Sequence, residues 1–334
     1  MSLKEIPITA IEGFKIGNAQ DLEKATGCTV IICEKGAVTG ADFRGGASAS
    51  RESALLDPLA ANNGVHAVLL SGGSAFGLDA AGGVMKYLEE KKIGFPVGDI
   101  VVPIVCQSDI YDLQLVANAH PDQQMAYQAC VDAEKNDPKE GNVGAGTGAT
   151  CGKLLGDAGM MKTGLGIYAA QLGDLKVGAV VSVNALGDVY DYQTNKKIAG
   201  LRDPKTGAFL NTEETLFQLV LKQQADANAA KEQPQNTNTI PTNTTIACII
   251  TNAALPKPHM AKVAGMAHNG FARSIRPVHT MHDGDTIYAM TTGEVKADVN
   301  LVGIIASKVM SEAIKRSATQ TEGIYGVKAA RDMA

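Results

Sequence analysis

The stretch "EQPQNTNTIPTNTTIACIIT", residues 232–251, changes character within two residues. Up to Asn243 it is polar and rich in Asn and Thr, the composition of an exposed, mobile linker that lacks the apolar surface to order itself. From Thr245 the run "TIACIIT" is unbroken, apolar and β-branched, as a strand covered on both faces requires. A linker ordinarily enters a buried strand through a Gly or Pro turn. Here Asn243 abuts Thr244 directly. Any fold for this chain must bury that strand and must hold a hydroxyl where the linker becomes core.

The remaining pattern says what the strand is buried against. After Thr244 the order is strand, helix ("KPHMAKVAGMAHNGFARSI"), strand ("DTIYAMTT") and helix ("VNLVGIIASKVMSEAIKRSA"). These strands need partners from the rest of the chain, so the polar tract reads as a loop inside one α/β domain spanning 1–334. Upstream, "CTVIICEKGAVTGADFRGG" reads as a hairpin turning at Lys35-Gly36, "RESALLDPLAANNG" as a short helix, and "VHAVLLSGG" as a buried strand. "AFGLDAAGGVMKYLEEKK" and "PDQQMAYQACVDAEKN" read as helices, with "IVVPIVC" as a strand between them. "GLGIYAAQLG" and "LKVGAVVSVNALGDVYD" form a pair of strands turning at Gly173-Asp174, and "TEETLFQLVLKQQADANAAK" is helical. With 36 glycines, 4% aromatics and no tryptophan, such a chain packs through small side chains and close backbone approach.

Several functions are excluded or weakened at this level. A formal charge of −5 without a Lys/Arg stripe argues against a nucleic-acid surface. No segment has the apolar length of a membrane span. "MSLKEIPITAIEGFKIG" has no long apolar core of the signal-peptide kind, so a cytoplasmic protein is expected. The six cysteines (Cys28, Cys33, Cys106, Cys130, Cys151, Cys248) form no CxxC pair, and reduced, buried thiols are the favoured account. "GAGTGATCGKL" fails as a P-loop at Thr147 and Leu154, and its Gly144-x-Gly146-x-x-Ala149 lacks the preceding strand of a dinucleotide site. No cofactor is expected. "GGSAFG" misses the nucleophile-elbow pattern at Phe76, leaving Ser74 as a helix N-cap. "HTMHDGD" gathers His279, His282, Asp283 and Asp285, but reads as a tight turn entering a strand rather than a metal site. Carboxylates so close repel each other unless solvated or facing a cation.

The hydroxyl at the junction admits a chemical reading. A Thr side chain can attack the carbonyl before it, shift the acyl group from nitrogen to oxygen, and leave water to cleave the ester. The chain then begins with Thr244, whose α-amino group titrates near 7.7–8.0 in unperturbed form and can act as general base for its own hydroxyl. A Thr at a strand start is also ordinary β chemistry, and on this segment alone both readings stand.

The wider sequence resembles the family of L-aminopeptidase D-amidase/esterases, which includes the β-peptidyl aminopeptidases and the nylon-oligomer hydrolase. The likeness runs through "TGCTVIICEKGAVTGADFRGGA", "LLDPLAANNGVHAVLLSGGSAFGLDAAGGVMKYLEE", "GNVGAGTGATCGK", "VGAVVSVNALGDV", "NTTIACIITNAAL" and "DGDTIYAMTTGE", in order along nearly the whole chain. The resemblance implies a four-layer αββα sandwich and self-cleavage between Asn243 and Thr244, giving an α chain 1–243 and a β chain 244–334. It implies Thr244 as nucleophile, Asn184 as oxyanion donor, and Asp283 and Asp285 as the pair orienting the nucleophile, with Lys153 beside it. Tyr111 is implied as a wall of the substrate pocket, although "VPIVCQSDIYDL" departs from the simpler apolar pattern expected there. The implied substrates are small amides: peptides with a free N-terminus, β-peptides or ω-amino-acid oligomers. The implied assembly is a homo-oligomer, a tetramer of α/β pairs. An acyltransferase of the ornithine acetyltransferase type shares this fold, but its Ala-Thr cleavage motif is replaced here by Asn-Thr. An unprocessed, non-catalytic binding protein on the same scaffold is the other alternative.

Overall fold

A computed structural model describes residues 3–113, 115–230 and 243–333. The polar tract from 231 to 242, read above as a mobile linker, lies outside the described residues. Ten strands form the main sheet: β1 (Lys4–Ile6), β2 (Lys15–Asp21), β3 (Thr26–Phe43), β4 (Ala49–Arg51), β5 (Gly64–Ser71), β6 (Val105–Asp109), β7 (Leu165–Leu172), β8 (Leu175–Asn184), β9 (Thr244–Ala253) and β10 (Thr286–Val295). The main helices are α1 (Ala81–Glu90), α2 (Gln123–Ala133), α3 (Thr212–Ala230), α4 (Lys257–Ser274) and α5 (Val299–Thr319).

Hydrogen bonding runs in the order β1-β7-β8-β9-β10-β3-β5-β6-β4, with β2 also on β3. The path is continuous because β3 serves two layers. Its first part, Thr26–Ile32, pairs with β2, and Cys28–Ile32 also pairs with β5; its last part, Val38–Phe43, pairs with β10. The expected hairpin at Lys35-Gly36 is therefore a correction: the chain does not turn back. Ile32 faces Ala67 and Ala37 faces Val65, so the residues from Cys33 to Gly36 oppose His66 alone. Gly36, at φ 75, supplies the left-handed step of this bulge, which lets one strand bend from one layer into the next. A Lys-Gly pair signals a local break, and nothing local distinguishes a bulge from a turn.

Strand alternation then sorts the core into three clusters. Ala247 and Ile249 of β9, with Val181 of β8 and Ile287 of β10, pack on Val263 and Phe271 of α4 and Ile305 and Val309 of α5. The alternate residues Ile246, Cys248 and Ile250 meet Ile31, Val68 and Leu70 of the other layer. Val30, Leu69 and Val105 pack against Val84 and Leu88 of α1 and Ala126 and Cys130 of α2. This is the four-layer αββα sandwich. The six cysteines are all free and buried, as small apolar residues within these clusters or beside them.

Local signals behave as their chemistry dictates. Asp122 and Asp298 cap α2 and α5 by accepting backbone N–H bonds in the first turn. The β7–β8 turn falls at Gly173, as read. Three smaller readings need correction. "IVVPIVC" is split, because Pro103 has no N–H to continue the ladder, into Ile100–Val102 and β6. The expected helix in "RESALLDPLAANNG" is one 3-10 turn over Ser53–Leu56, with Pro58 closing it off. Ser74 is not an N-cap: Gly73 holds that position, and Ser74 is the first helical residue, itself at φ 51. No described helix is long and apolar enough to cross a membrane.

Close backbone approach sets the layer spacing. A Cβ on Gly166 of β7 would lie 1.9 Å from the Ala313 carbonyl oxygen of α5. Gly166→Val should therefore push α5 off the sheet and cost about 2 kcal/mol or more in chemical denaturation. A variant as stable as the parent would show that the helix has slack to move.

Candidate active site

Thr244 is the first residue of β9, and its Cα partner on β8 is Asn184. On β9 the even-numbered Ile246, Cys248 and Ile250 face the gap between the sheets, and Val180 does so on β8. Period two therefore turns both Thr244 and Asn184 into that gap, while Thr245 faces the α4 side. Thr244 is 3% exposed and Asn184 and Asn243 are fully buried.

The peptide unit before Thr244 is held tightly. The Thr244 hydroxyl donates to the Asn243 carbonyl oxygen at 2.5 Å, and Gly284 N–H donates to the same oxygen at 2.9 Å. Asn243 N–H in turn donates to the His282 carbonyl at 3.0 Å, so Asn243 continues β9 by one bridge to Asp283. A Cβ on Gly284 would sit 2.7 Å from the Thr244 hydroxyl oxygen and 2.9 Å from the Ala47 carbonyl, so only glycine brings a backbone N–H this close. The segment "RGGA", 44–47, clamps the turn from outside: Arg44 N–H donates to Asp285 O and Ala47 N–H to Asp283 O.

The carboxylates of the turn have different partners. Asp285 Oδ1 accepts from Thr245 N–H at 2.7 Å, and its Oδ2 accepts from His279 N–H at 3.0 Å and His279 Nδ1 at 2.9 Å. Asp283 Oδ2 accepts from Thr280 N–H at 2.7 Å. Burial, and next the Asp285 charge, push the Asp283 carboxyl above the usual carboxylate range. Separate donors and this upward shift meet the repulsion expected of the pair.

Lys153 controls the Asn184 amide. Its Nζ donates to Asn184 Oδ1 at 2.5 Å and to Asn184 O at 3.2 Å, and Thr150 N–H donates to the same Oδ1 at 3.1 Å. With Oδ1 facing these donors, the amide nitrogen must point the other way, where Nδ2 donates to the Tyr111 carbonyl at 2.9 Å. One Nδ2 hydrogen remains for the gap. Burial pulls Lys153 down to about 7, against the smaller opposing pull of Cys151, Asp283 and Asp112. Lys162, likewise pulled down to about 7 by burial, donates to the carbonyls of Gly146, Ala149 and Thr163, pinning the glycine-dense segment that carries Thr150 and Lys153.

The residues singled out from sequence thus converge: Asn243, Thr244, Asn184, Lys153, Asp283 and Asp285 form one connected network. Tyr111 joins it through its backbone carbonyl. The sequence reading gave no catalytic place to Gly284, His279, Thr150 or Lys162. "HTMHDGD" held two of them, but as a string it suggested only a turn or a metal site. Among the described residues no group of three or more His, Cys, Asp or Glu could hold a metal ion. A cavity of about 600 Å³ lined by Phe14, Cys33, Gly36 and Thr292 lies at the bulge of β3, roughly 20 Å along β10 from this network, and shares none of its residues.

A sandwich with a buried hydroxyl at a strand start and a fixed amide opposite it holds the parts an amide-bond hydrolase needs. The fold matches a solved structure, the L-aminopeptidase D-Ala-esterase/amidase from Ochrobactrum anthropi, described as a variant of the Ntn hydrolase fold, with TM-score 0.69 and 14% identity over 96% of this chain and 90% of that chain. The chain belongs to peptidase family S58, whose model matches residues 7–332. It is 35% identical to an uncharacterized aminopeptidase of Mycobacterium tuberculosis (strain ATCC 25618 / H37Rv), over 98% of this chain and 97% of that protein. It is 31% identical to the 6-aminohexanoate-oligomer endohydrolase of Kocuria sp. (strain KY2), over 92% of this chain and 84% of that protein.

The buried lysines make stability depend on pH. Unfolded, both keep their protons up to about pH 10.5, whereas folded they lose them near 7. Between these values the unfolded state binds more protons, so stability rises with pH, by up to about 1.4 kcal/mol per pH unit for each lysine. Thermal unfolding from pH 6.5 to 8.5 should show a climbing Tm, and a shallower climb in Lys162→Met. Equal slopes in the two proteins would place the Lys162 titration outside this window.

Proposed function

We propose that this protein is a self-processing amidohydrolase in which Thr244, freed at its amino group, is the nucleophile. The observation that carries the reading is the pair of hydrogen bonds at the scissile position, Thr244 hydroxyl and Gly284 N–H both on the Asn243 carbonyl oxygen, with Asn184 paired to Thr244 across the sheet. In the first act Thr244 Oγ1 adds to the Asn243 carbonyl carbon. The Gly284 N–H stabilises the oxygen as it gains charge. The C–N bond breaks, the hydroxyl proton passes to the departing nitrogen, and water hydrolyses the ester. The products are chains 1–243 and 244–334 of a single folded domain.

In the second act the Thr244 amine takes the proton of its own hydroxyl, and Oγ1 attacks a substrate amide. The free Nδ2 hydrogen of Asn184, aimed by Lys153 and Thr150, donates to the developing oxyanion. The substrate amine leaves with a proton, and water releases the acyl group. Asp285 anchors the start of β9 through Thr245 N–H, and Asp283 lines the turn beside it. Short amides suit a nucleophile recessed between two sheets: peptides with a free N-terminus, β-peptides or ω-amino-acid oligomers, the last supported by the Kocuria relative's name. Tyr111 contributes to the substrate wall. The working form is a cytoplasmic homo-oligomer of α/β pairs, without nucleic-acid partners; six free, buried thiols agree with a reducing compartment.

Denaturing mass spectrometry of freshly purified protein tests the first act. Two fragments dividing between Asn243 and Thr244 are expected, and one intact chain from Thr244→Ala, with no hydrolysis of a short amide. A wild-type chain that hydrolyses amides while staying whole would overturn the reading. Asn184→Ala should lower kcat by about 10²–10³, the effect of losing one oxyanion donor. Unchanged kcat in steady-state assays would remove Asn184 from that role.

A further inference from the structure

We infer that His279 is a positioning residue of the active site: it holds Asp285 so that Asp285 can fix Thr245 and, through it, the nucleophile. The inference rests on the reading of Thr244 given above and deepens it. Asp285 uses its oxygens on opposite sides. Oδ1 receives Thr245 N–H at 2.7 Å, one residue past the nucleophile, and Oδ2 receives two donors, both from His279. The carboxylate is therefore a bridge with β9 at one end and His279 at the other.

His279 is itself held in place. Its backbone is left-handed, at φ 63, which allows the main-chain N–H and the ring Nδ1 to converge on one oxygen. The ring stacks on Phe271 with centroids 5.8 Å apart and meets His268 edge-on at 4.7 Å, both residues belonging to α4. His268 Nε2 lies 3.0 Å from the Asp42 carbonyl oxygen of β3, so this face is tied to the sheet as well. The acceptor at Asp285 is a carboxylate, so Nδ1 carries the hydrogen. His279 Nε2 is buried without a hydrogen-bond partner among the described residues. A histidine kept for solubility or for a surface contact would not bury that nitrogen. The residue is placed for its Nδ1 side.

A carboxylate bridging toward a nucleophile works only if it is rigid, because small displacements at a reacting centre cost orders of magnitude in rate. Among the described residues no other side chain donates to Asp285, so the His279 ring supplies the hydrogen bond that fixes its plane.

Three variants separate the ring donor from the backbone shape. His279→Asn keeps left-handed tolerance and places an amide N–H where Nδ1 stands. His279→Gly keeps only the backbone. His279→Asp keeps the shape of Asn but replaces the donor with an acceptor. Each is followed by the first-order rate of self-cleavage in mass spectrometry, by kcat and KM on a short amide, and by Tm. The expected result is a loss of about tenfold or more in kcat and in cleavage rate for His279→Gly, with KM within about twofold, and recovery to within about threefold of wild type for His279→Asn. His279→Gly working at the wild-type rate, or His279→Asn as slow as His279→Gly at equal Tm, overturns the assignment. If the glycine variant does not fold, the Asn and Asp variants decide: equal rates for those two overturn it. Failure here is distinct from failure of the parent reading, which shows as a wild-type chain that is never cleaved or a Thr244→Ala variant that still hydrolyses.

Discussion

The pairing of β8 with β9 is the constraint on which the site depends. It sets Thr244 opposite Asn184 and continues through Val183↔Thr245, Ser182↔Ile246 and Val181↔Ala247 to Val177↔Thr251. A slip of one residue would turn Thr244 toward the helices and Ile246 out of the space between the sheets, so the same apolar alternation that builds the core also fixes the nucleophile. Core and chemistry are specified by one register. β9 is additionally the strand where an antiparallel neighbour, β8, and a parallel one, β10, meet, so the start of β10 delivers Gly284 and Asp285 to the same end.

Around that register the interior is unusually polar for its depth. Asp283, Asp285, Lys153 and Lys162 are buried among strands of Val, Ile and Ala. Burying such groups is costly, and each is met by named partners: backbone N–H groups and the His279 ring for the aspartates, carbonyls and an amide oxygen for the lysines. The glycine-dense segment from 141 to 152 makes this feasible, because its closely approaching backbone supplies two of the three carbonyls that Lys162 gathers. A chain with ordinary side chains there would block the approach. Departures from local rules of this kind gather at functional sites.

Much of the architecture was legible along the chain. Unbroken apolar or β-branched runs located β5, β7, β8, β9 and β10, and period-3.6 patterns located α1 to α5, since each element buries one or both faces against a neighbour. Motif resemblance drew attention to Thr244, Asn184, Lys153, Asp283 and Asp285. The errors share a cause. Lys35-Gly36 was read as a hairpin and is a bulge, and Ser74 was read as a cap when Gly73 takes that place. In both, a local signal for a break was right while its geometry was set by distant strands. His279 and Gly284 were in view in "HTMHDGD", yet a string shows neither which carboxylate oxygen a ring faces nor which carbonyl a backbone N–H meets.

By itself, then, the sequence determined that a buried strand starts abruptly at a hydroxyl, that strands and helices alternate around it, and that small residues permit close layers. Those properties follow from composition and periodicity, which are local. Only the tertiary structure decided that β3 crosses between layers, that Asn184 and Thr244 share a register position, that Gly284 N–H reaches the Asn243 carbonyl, and that His279 stands behind Asp285. These are contacts between residues far apart in the chain or within tight turns. Their geometry comes from packing whole layers together, which no single segment encodes.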